Sequence, residues 1–194
     1  MITNRRILKY TLGTLPLLFF VGLSVYLFAY TSPEQIVEFV GVKNAYGLIF
    51  IAAIFGGFTT FNVIPYHLLL ITLSLGGLNP IFLGLLAATG VSIGDSTLYF
   101  VGYQGRTILP EKANRWFGWL YEIGMSRPKL FILLCFIYSC IVPASNDFIT
   151  IPAGLARYPF WKVMIPLALG NIVFDISMAS LAAYAYEALR GIIF

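Results

Sequence analysis

Apolar residues run along this chain in long blocks, with charges at their edges. No charged residue stands between Lys9 and Glu34, and none between Lys43 and Asp95 apart from whatever charge His67 carries. Lys129 to Arg157 contains only Asp147, and Lys162 to Glu187 contains only Asp175. One helical crossing of a bilayer takes about 20 residues. The 51 residues from Asn44 to Gly94 must therefore enter it more than once. The block after Lys9 predicts a retained first transmembrane helix at 10–30. It follows Arg5, Arg6 and Lys9 as a signal peptide would, but it exceeds the roughly 7–15-residue apolar core of one, and no small-residue cleavage site follows.

Two later blocks are interrupted in the same way. "VIPYHLLLITLSLGGLNPIF" begins at Val63 and "IVPASNDFITIPAGLARYPFW" at Ile141. Pro65 matches Pro143, Ile71-Thr72 matches Ile149-Thr150 and Gly76 matches Gly154, each 78 residues on. Pro80 and Pro159 are 79 apart, and Gly90/Gly170 and Asp95/Asp175 are 80 apart. The pattern predicts an internal repeat, 44–104 and 127–188, joined by 105–126. Non-helical backbone survives at membrane depth only when buried in protein or facing water. Breaks at Pro65, Gly76, Pro143 and Gly154 thus predict two re-entrant hairpins, 44–78 and 127–157, each followed by a full crossing, 80–104 and 159–188. Two short amphipathic helices complete the chain. "SPEQIVEFVG" starts with Pro33 after a Ser32 cap; "PEKANRWFGWLYEIG" suits a helix in the headgroup layer.

Composition sets the class. The chain is 59% hydrophobic and only 10% charged, with a mean hydropathy of +0.87; soluble domains carry about 25% charged residues. The expectation is an all-α integral membrane protein, one polytopic domain over 1–194. The net charge of +4 is concentrated in three places: before Tyr10, from Arg106 to Lys129, and at Arg157 and Lys162. Basic connections stay cytoplasmic. The N-terminus and the Arg157–Pro159 turn are then inside and the Gly76–Pro80 turn outside, so the repeats are inverted, in a multi-pass protein of the cell (inner) membrane. Nothing in this basicity points to nucleic acid. Cys135 and Cys140 share one apolar segment and read as core thiols.

An ionisable group at membrane depth costs about 2.5–3.5 kcal/mol, so it faces a cavity or a partner. His67, Asp95, Asp147 and Asp175, with Asn146 and Asn171 beside them, are the candidates for a substrate or proton pathway. Plain readings stand next to this one: His67 as a hydrogen-bonded ring at a helix break, Asp147 as the cap of a half-helix, Asp95 and Asp175 as buried hydrogen-bonded carboxylates. The 78-residue spacing sets Ser145 opposite His67 and makes Asp147 its expected partner. Ser139 and Ser145 have no second histidine to activate them, and neither a GxSxG elbow nor an HExxH zinc motif occurs. No catalytic residue, metal or cofactor is expected.

The segment "GLNPIFLGLLAATGVSIGDSTLYFVGYQGR" carries Asn79-Pro80, Gly90, Gly94-Asp95, a Tyr99-x-x-Gly102 step and Arg106. With "VPASNDFITIPAGLARYPFWKV" in the second half, it resembles the DedA family, also called the VTT or SNARE-associated membrane protein family, over about residues 31–188. The resemblance implies two opposed re-entrant hairpins and the movement of lipids between leaflets, with a phospholipid or a polyprenyl phosphate as partner. Several members are proton-dependent, so protons are a second implied passenger. The sequence departs from the family at His67, where an acidic residue is common, and at Cys140 and Asn146, where arginines are frequent. Arginine is the natural bidentate partner of phosphate, so these departures weaken a phosphate-headgroup reading and leave open a zwitterionic lipid, another substrate, or a branch that uses Arg106 or Arg157 instead. A proton-coupled exporter of small solutes or drugs and a non-transporting assembly factor remain open, and a homo-oligomer is compatible with each.

Overall fold

In the computed structural model the described residues are 33–58, 66–108, 111–142 and 145–193. The helix expected at 10–30, the Ser32 cap, and Pro65 and Pro143 lie outside them. Every regular element among the described residues is helical. In chain order these are α1 (Pro33–Val40), α2 (Val42–Phe58), α3 (Tyr66–Leu75), α4 (Pro80–Gly105), a 3₁₀ turn at Arg106–Ile108, α5 (Glu111–Ser126), α6 (Pro128–Ile141), α7 (Asp147–Leu155) and α8 (Phe160–Ile193). The α4 helix, and α8 over Phe160–Tyr186, are long and apolar enough to cross a membrane. At 17, 10, 14 and 9 residues, α2, α3, α6 and α7 fall short of the roughly 20 that a crossing takes.

Local chemistry starts these helices where they start. Asn79 caps α4, its side chain accepting from the N–H groups of Ile81 (3.0 Å) and Phe82 (3.1 Å). Pro80 then occupies the first turn, where its missing N–H is no loss. Pro128 does the same for α6.

The two long helices run antiparallel. Near the end of α4, the rings of Tyr99 and Phe100 lie 5.2 Å from that of Phe160 at the start of α8. Near the start of α4, Gly84 lies against the backbone of Ile176. Small residues let the shorter helices come close. A Cβ on Gly90 would fall 2.6 Å from the Phe50 carbonyl of α2, and one on Gly170 would fall 2.6 Å from Ser139 Cβ of α6. Thus α2 flanks α4 and α6 flanks α8. The other two short helices cross over: α3 packs on α8, where Ser74 Oγ donates to the Ala179 carbonyl at 2.6 Å, and α7 packs on α4, where Gly154 presses on the Tyr99 carbonyl.

The turns after α3 and α7 close with one set of bonds. Gly77 N–H donates to Ser74 O (3.2 Å) and Leu78 N–H to Leu73 O (3.3 Å); Arg157 donates to Gly154 O and Tyr158 to Ala153 O, both at 2.9 Å. This is the Schellman closure, with a left-handed residue at its apex: Gly77 at φ 86° and Arg157 at φ 54°. The spacing is 80 residues throughout, from Leu73/Ala153 to Asp95/Asp175.

That spacing corrects the 78-residue register expected for the turn. Gly76 corresponds to Ala156, and Gly154 to Ser74. Gly154 is therefore no break; it lies buried inside α7. Matching glycine to glycine misled, because the conformation that makes the turn belongs to Gly77 in one half and to an arginine in the other. In the corrected register Tyr66 corresponds to Asn146, and His67 to Asp147.

Candidate functional site

Asp95 and Asp175 are each the sixteenth residue of their helices, α4 and α8. They are 1% and 0% exposed. Each meets a residue at the start of a short helix from the other half. Asn146, which precedes α7, donates from Nδ2 to Asp95 Oδ2 at 2.7 Å. Tyr66, which opens α3, donates its hydroxyl to Asp175 Oδ1 at 3.4 Å. Asn146 stands at the cap position of α7 but makes no side-chain cap bond; its amide reaches across to the other half instead.

Around Asp95 the bonds multiply. Asn171 Nδ2 also donates to Asp95 Oδ2, at 3.3 Å. Asn171 Oδ1 accepts from Asn146 Nδ2 at 3.0 Å and lies 2.5 Å from Ser139 Oγ, which in turn is 2.8 Å from the Leu167 carbonyl. One network thus joins α4, α6, α8 and the approach to α7. Asp175 has far less. Its Oδ2 is buried and has no hydrogen-bond partner among the described residues. An uncompensated buried oxygen of this kind is costly.

A cavity of about 30 Å³ lies against the network, lined among others by His67, Asp95, Ser139, Ser145, Asn146 and Asn171. One water occupies roughly 10–15 Å³ on this measure, so there is room for about two. The cavity brings together four of the six pathway candidates: His67, Asp95, Asn146 and Asn171. Asp147 and Asp175 are not part of its lining. Asp147 is buried in the first turn of α7, its N–H donating to Ser145 Oγ at 3.3 Å. Among the described residues Asp175 is connected to it through Tyr66, which does line the cavity.

The expected pairing of His67 with Asp147 is not formed. The imidazole packs against the ring of Tyr66 (centroids 3.9 Å apart) and stands edge-on to Phe174 (5.7 Å). The register explains this: His67 and Asp147 hold equivalent positions on α3 and α7, which pack on different long helices. The headgroup candidates also lie elsewhere. Arg106 Nη1 donates to the Ala156 carbonyl at 3.0 Å, and the Arg157 guanidinium sits 5.0 Å over the Tyr103 ring. Both are at the end of α4 beside the turn into α8, and neither lines the cavity. Cys135 and Cys140 are free thiols.

Two site residues escaped the sequence reading. Ser139 was weighed only as a nucleophile, whereas its hydroxyl ties α6 to α8. Tyr66 drew no notice; the 80-residue spacing, which sets it against Asn146, is the signal that could have found it. Comparison with family models, with curated proteins and with solved structures gives no match for this chain.

Proposed function

We propose that the chain is an integral membrane protein built from two inverted repeats, and that it moves a lipid between leaflets as the DedA/VTT resemblance implies. The observation that carries this reading is the network around Asp95. It lies past the middle of a helix able to span a bilayer, and is completed by a residue at the start of a half-length helix. With α4 and α8 across the membrane, Asp95 and Asp175 fall near the midplane and the Gly77 and Arg157 turns fall at opposite faces. The α3 and α7 helices are then the deep arms of the re-entrant hairpins. Inverted repeats with interrupted helices meeting at a midplane polar site are the architecture of secondary transporters. Outward-facing Phe82, Phe100, Trp161 and Leu181 suit contact with acyl chains.

In this placement the N-terminus and the basic end with Arg106 and Arg157 are cytoplasmic, in a multi-pass protein of the inner membrane. Arg106 is engaged with the α7 carboxyl end, so Arg157 is the better contact for an anionic headgroup, of a phospholipid or of a polyprenyl phosphate. The test is reconstitution into vesicles carrying fluorescent lipids, with and without a pH gradient. Lipid exchange that is lost in Asp95→Asn supports the proposal, and its absence from the wild-type protein removes it. Labelling of cysteines placed near Gly77 and Arg157 tests the inversion: both reacting from one side would overturn it.

The cavity size favours a second reading, a proton-coupled exporter of small solutes. About 30 Å³ holds a pair of waters and no lipid headgroup, so lipid passage requires α7 to part from α4. Solute flux without lipid movement supports the exporter; neither activity supports an assembly role.

A further inference from the structure

We infer that the cavity beside Asp95 binds one small monovalent cation, sodium, through oxygen atoms of Asp95, Ser139 and Ser145. The inference rests on the membrane placement proposed above and identifies a ligand for that same site.

The first argument is charge. Asp95 is 1% exposed and lines the cavity. Its Oδ2 already accepts two amide N–H groups, from Asn146 and Asn171. Both of these bonds fall on Oδ2, which leaves Oδ1 for the cavity that Asp95 lines. Among the described residues no lysine or arginine lines that space. The titratable groups around it are His67 and Tyr66 on the lining, Asp147 at the start of α7, and Asp175 behind Tyr66. Among the described lining residues Asp95 is thus the one carboxylate, and the one basic side chain is the His67 imidazole, held among rings. A buried charge without a counter-charge is expensive, and proteins pair it or give it a metal ion.

The second argument is donor type. Ser139 and Ser145, both on the lining, bring hydroxyls beside the carboxylate, while the Asn171 amide oxygen is taken up by Asn146 and Ser139. These are hard oxygen donors, suited to cations of the sodium and calcium kind and not to thiolate- or imidazole-loving metals. Val142, just past the end of α6, also lines the cavity. The carboxyl end of a helix carries the negative end of its dipole, and unwound carbonyls at a helix break are established sodium ligands in transporters.

The third argument is size. About 30 Å³ admits a small ion with one water and excludes an ion with its full hydration shell. A single carboxylate also balances one positive charge better than two.

The test uses the full chain in detergent, with unfolding followed by tryptophan fluorescence as NaCl replaces choline chloride at constant ionic strength and pH 8. Tm is expected to rise steadily with the logarithm of sodium concentration, as a ligand of the native state requires, and less with KCl. In Asp95→Asn the half-saturating sodium concentration rises at least tenfold, while the exposed Thr97→Val keeps the wild-type curve. If Asp95→Asn does not fold, Ser139→Ala carries the test with a several-fold weaker response. Superimposed sodium and choline curves, or a sodium response unchanged in Asp95→Asn, would overturn the inference. Lipid exchange in vesicles without any sodium response removes the cation site and leaves transport standing. Sodium stabilisation without lipid exchange does the reverse.

Discussion

Asp95 and Asp175 are each the sixteenth residue of a long helix, yet their surroundings differ. Asp95 takes two amide donors and borders a cavity; Asp175 takes one long bond from a phenol, and its second oxygen has no partner among the described residues. The backbone relation is the same in both cases: a residue at the start of a short helix reaches the long helix of the other half. The reacting groups differ. The Asn146 amide has two donors and bridges Asp95 to Asn171, whereas the Tyr66 hydroxyl has one proton to give. Matching helix positions therefore set where polar groups meet, and the side chains decide which meeting place borders a cavity.

The sharpest way to break this comparison is to neutralise each carboxylate in turn. Asp95→Asn should lower lipid exchange about a hundredfold, roughly 2.7 kcal/mol in barrier, while Asp175→Asn should lower it less than about threefold. Equal losses in the vesicle assay would mean that the halves contribute equally.

The next largest effect separates the two donors. Asn146→Ala should destabilise the fold by about 2 kcal/mol, since it takes a hydrogen bond from a buried carboxylate. Tyr66→Phe, which removes a 3.4 Å bond, should cost below about 1 kcal/mol. Chemical unfolding in detergent measures both.

The Ser74/Gly154 pair follows. A methyl on Gly154 would overlap the Tyr99 carbonyl and fall 2.8 Å from the Tyr103 nitrogen. Gly154→Ala should therefore cost about 1–3 kcal/mol by overpacking. Ser74→Gly should cost less in the same unfolding measurement, because it loses only the bond to Ala179.

The smallest effect compares the turn apices. Arg157 holds a left-handed φ that costs an L-residue about 1 kcal/mol, partly offset by roughly 0.5 kcal/mol from the Tyr103 ring. Arg157→Gly should stabilise by about 0.5 kcal/mol, whereas Gly77→Ala should destabilise by about 1 kcal/mol although the space around it is open. A loss of stability in Arg157→Gly would show that the ring contact outweighs the strain.

Much of this fold is written in the spacing of charges. Charge-free runs located α4 and α8 within a few residues, and the lone aspartates inside them named the centres of both polar contacts. Asn79-Pro80 marked a helix start because capping is local chemistry that a dipeptide carries by itself. The register within the turns was not legible, since the left-handed position is Gly77 once and Arg157 once, and identity matching passes over that pair. The partner of His67 was missed for the same reason. Ser139 and Tyr66 were hidden more deeply: their roles depend on which helix of the other half lies alongside, and no local pattern records that.

The crossing-over of α3 and α7 has a consequence for synthesis. Asp95 is made 51 residues before the amide that satisfies it, and Tyr66 is made 109 residues before its carboxylate. At about 5–20 residues per second on the ribosome, the first waits roughly 3–10 s and the second roughly 5–20 s. Throughout that interval the first half presents a carboxylate whose Asn146 and Asn171 donors have not yet been made. On the membrane reading proposed above, the nascent chain passes through a stage at which Asp95 is its greatest liability to quality control. A chain stopped after α5 should be cleared by membrane proteases far faster than the full-length product.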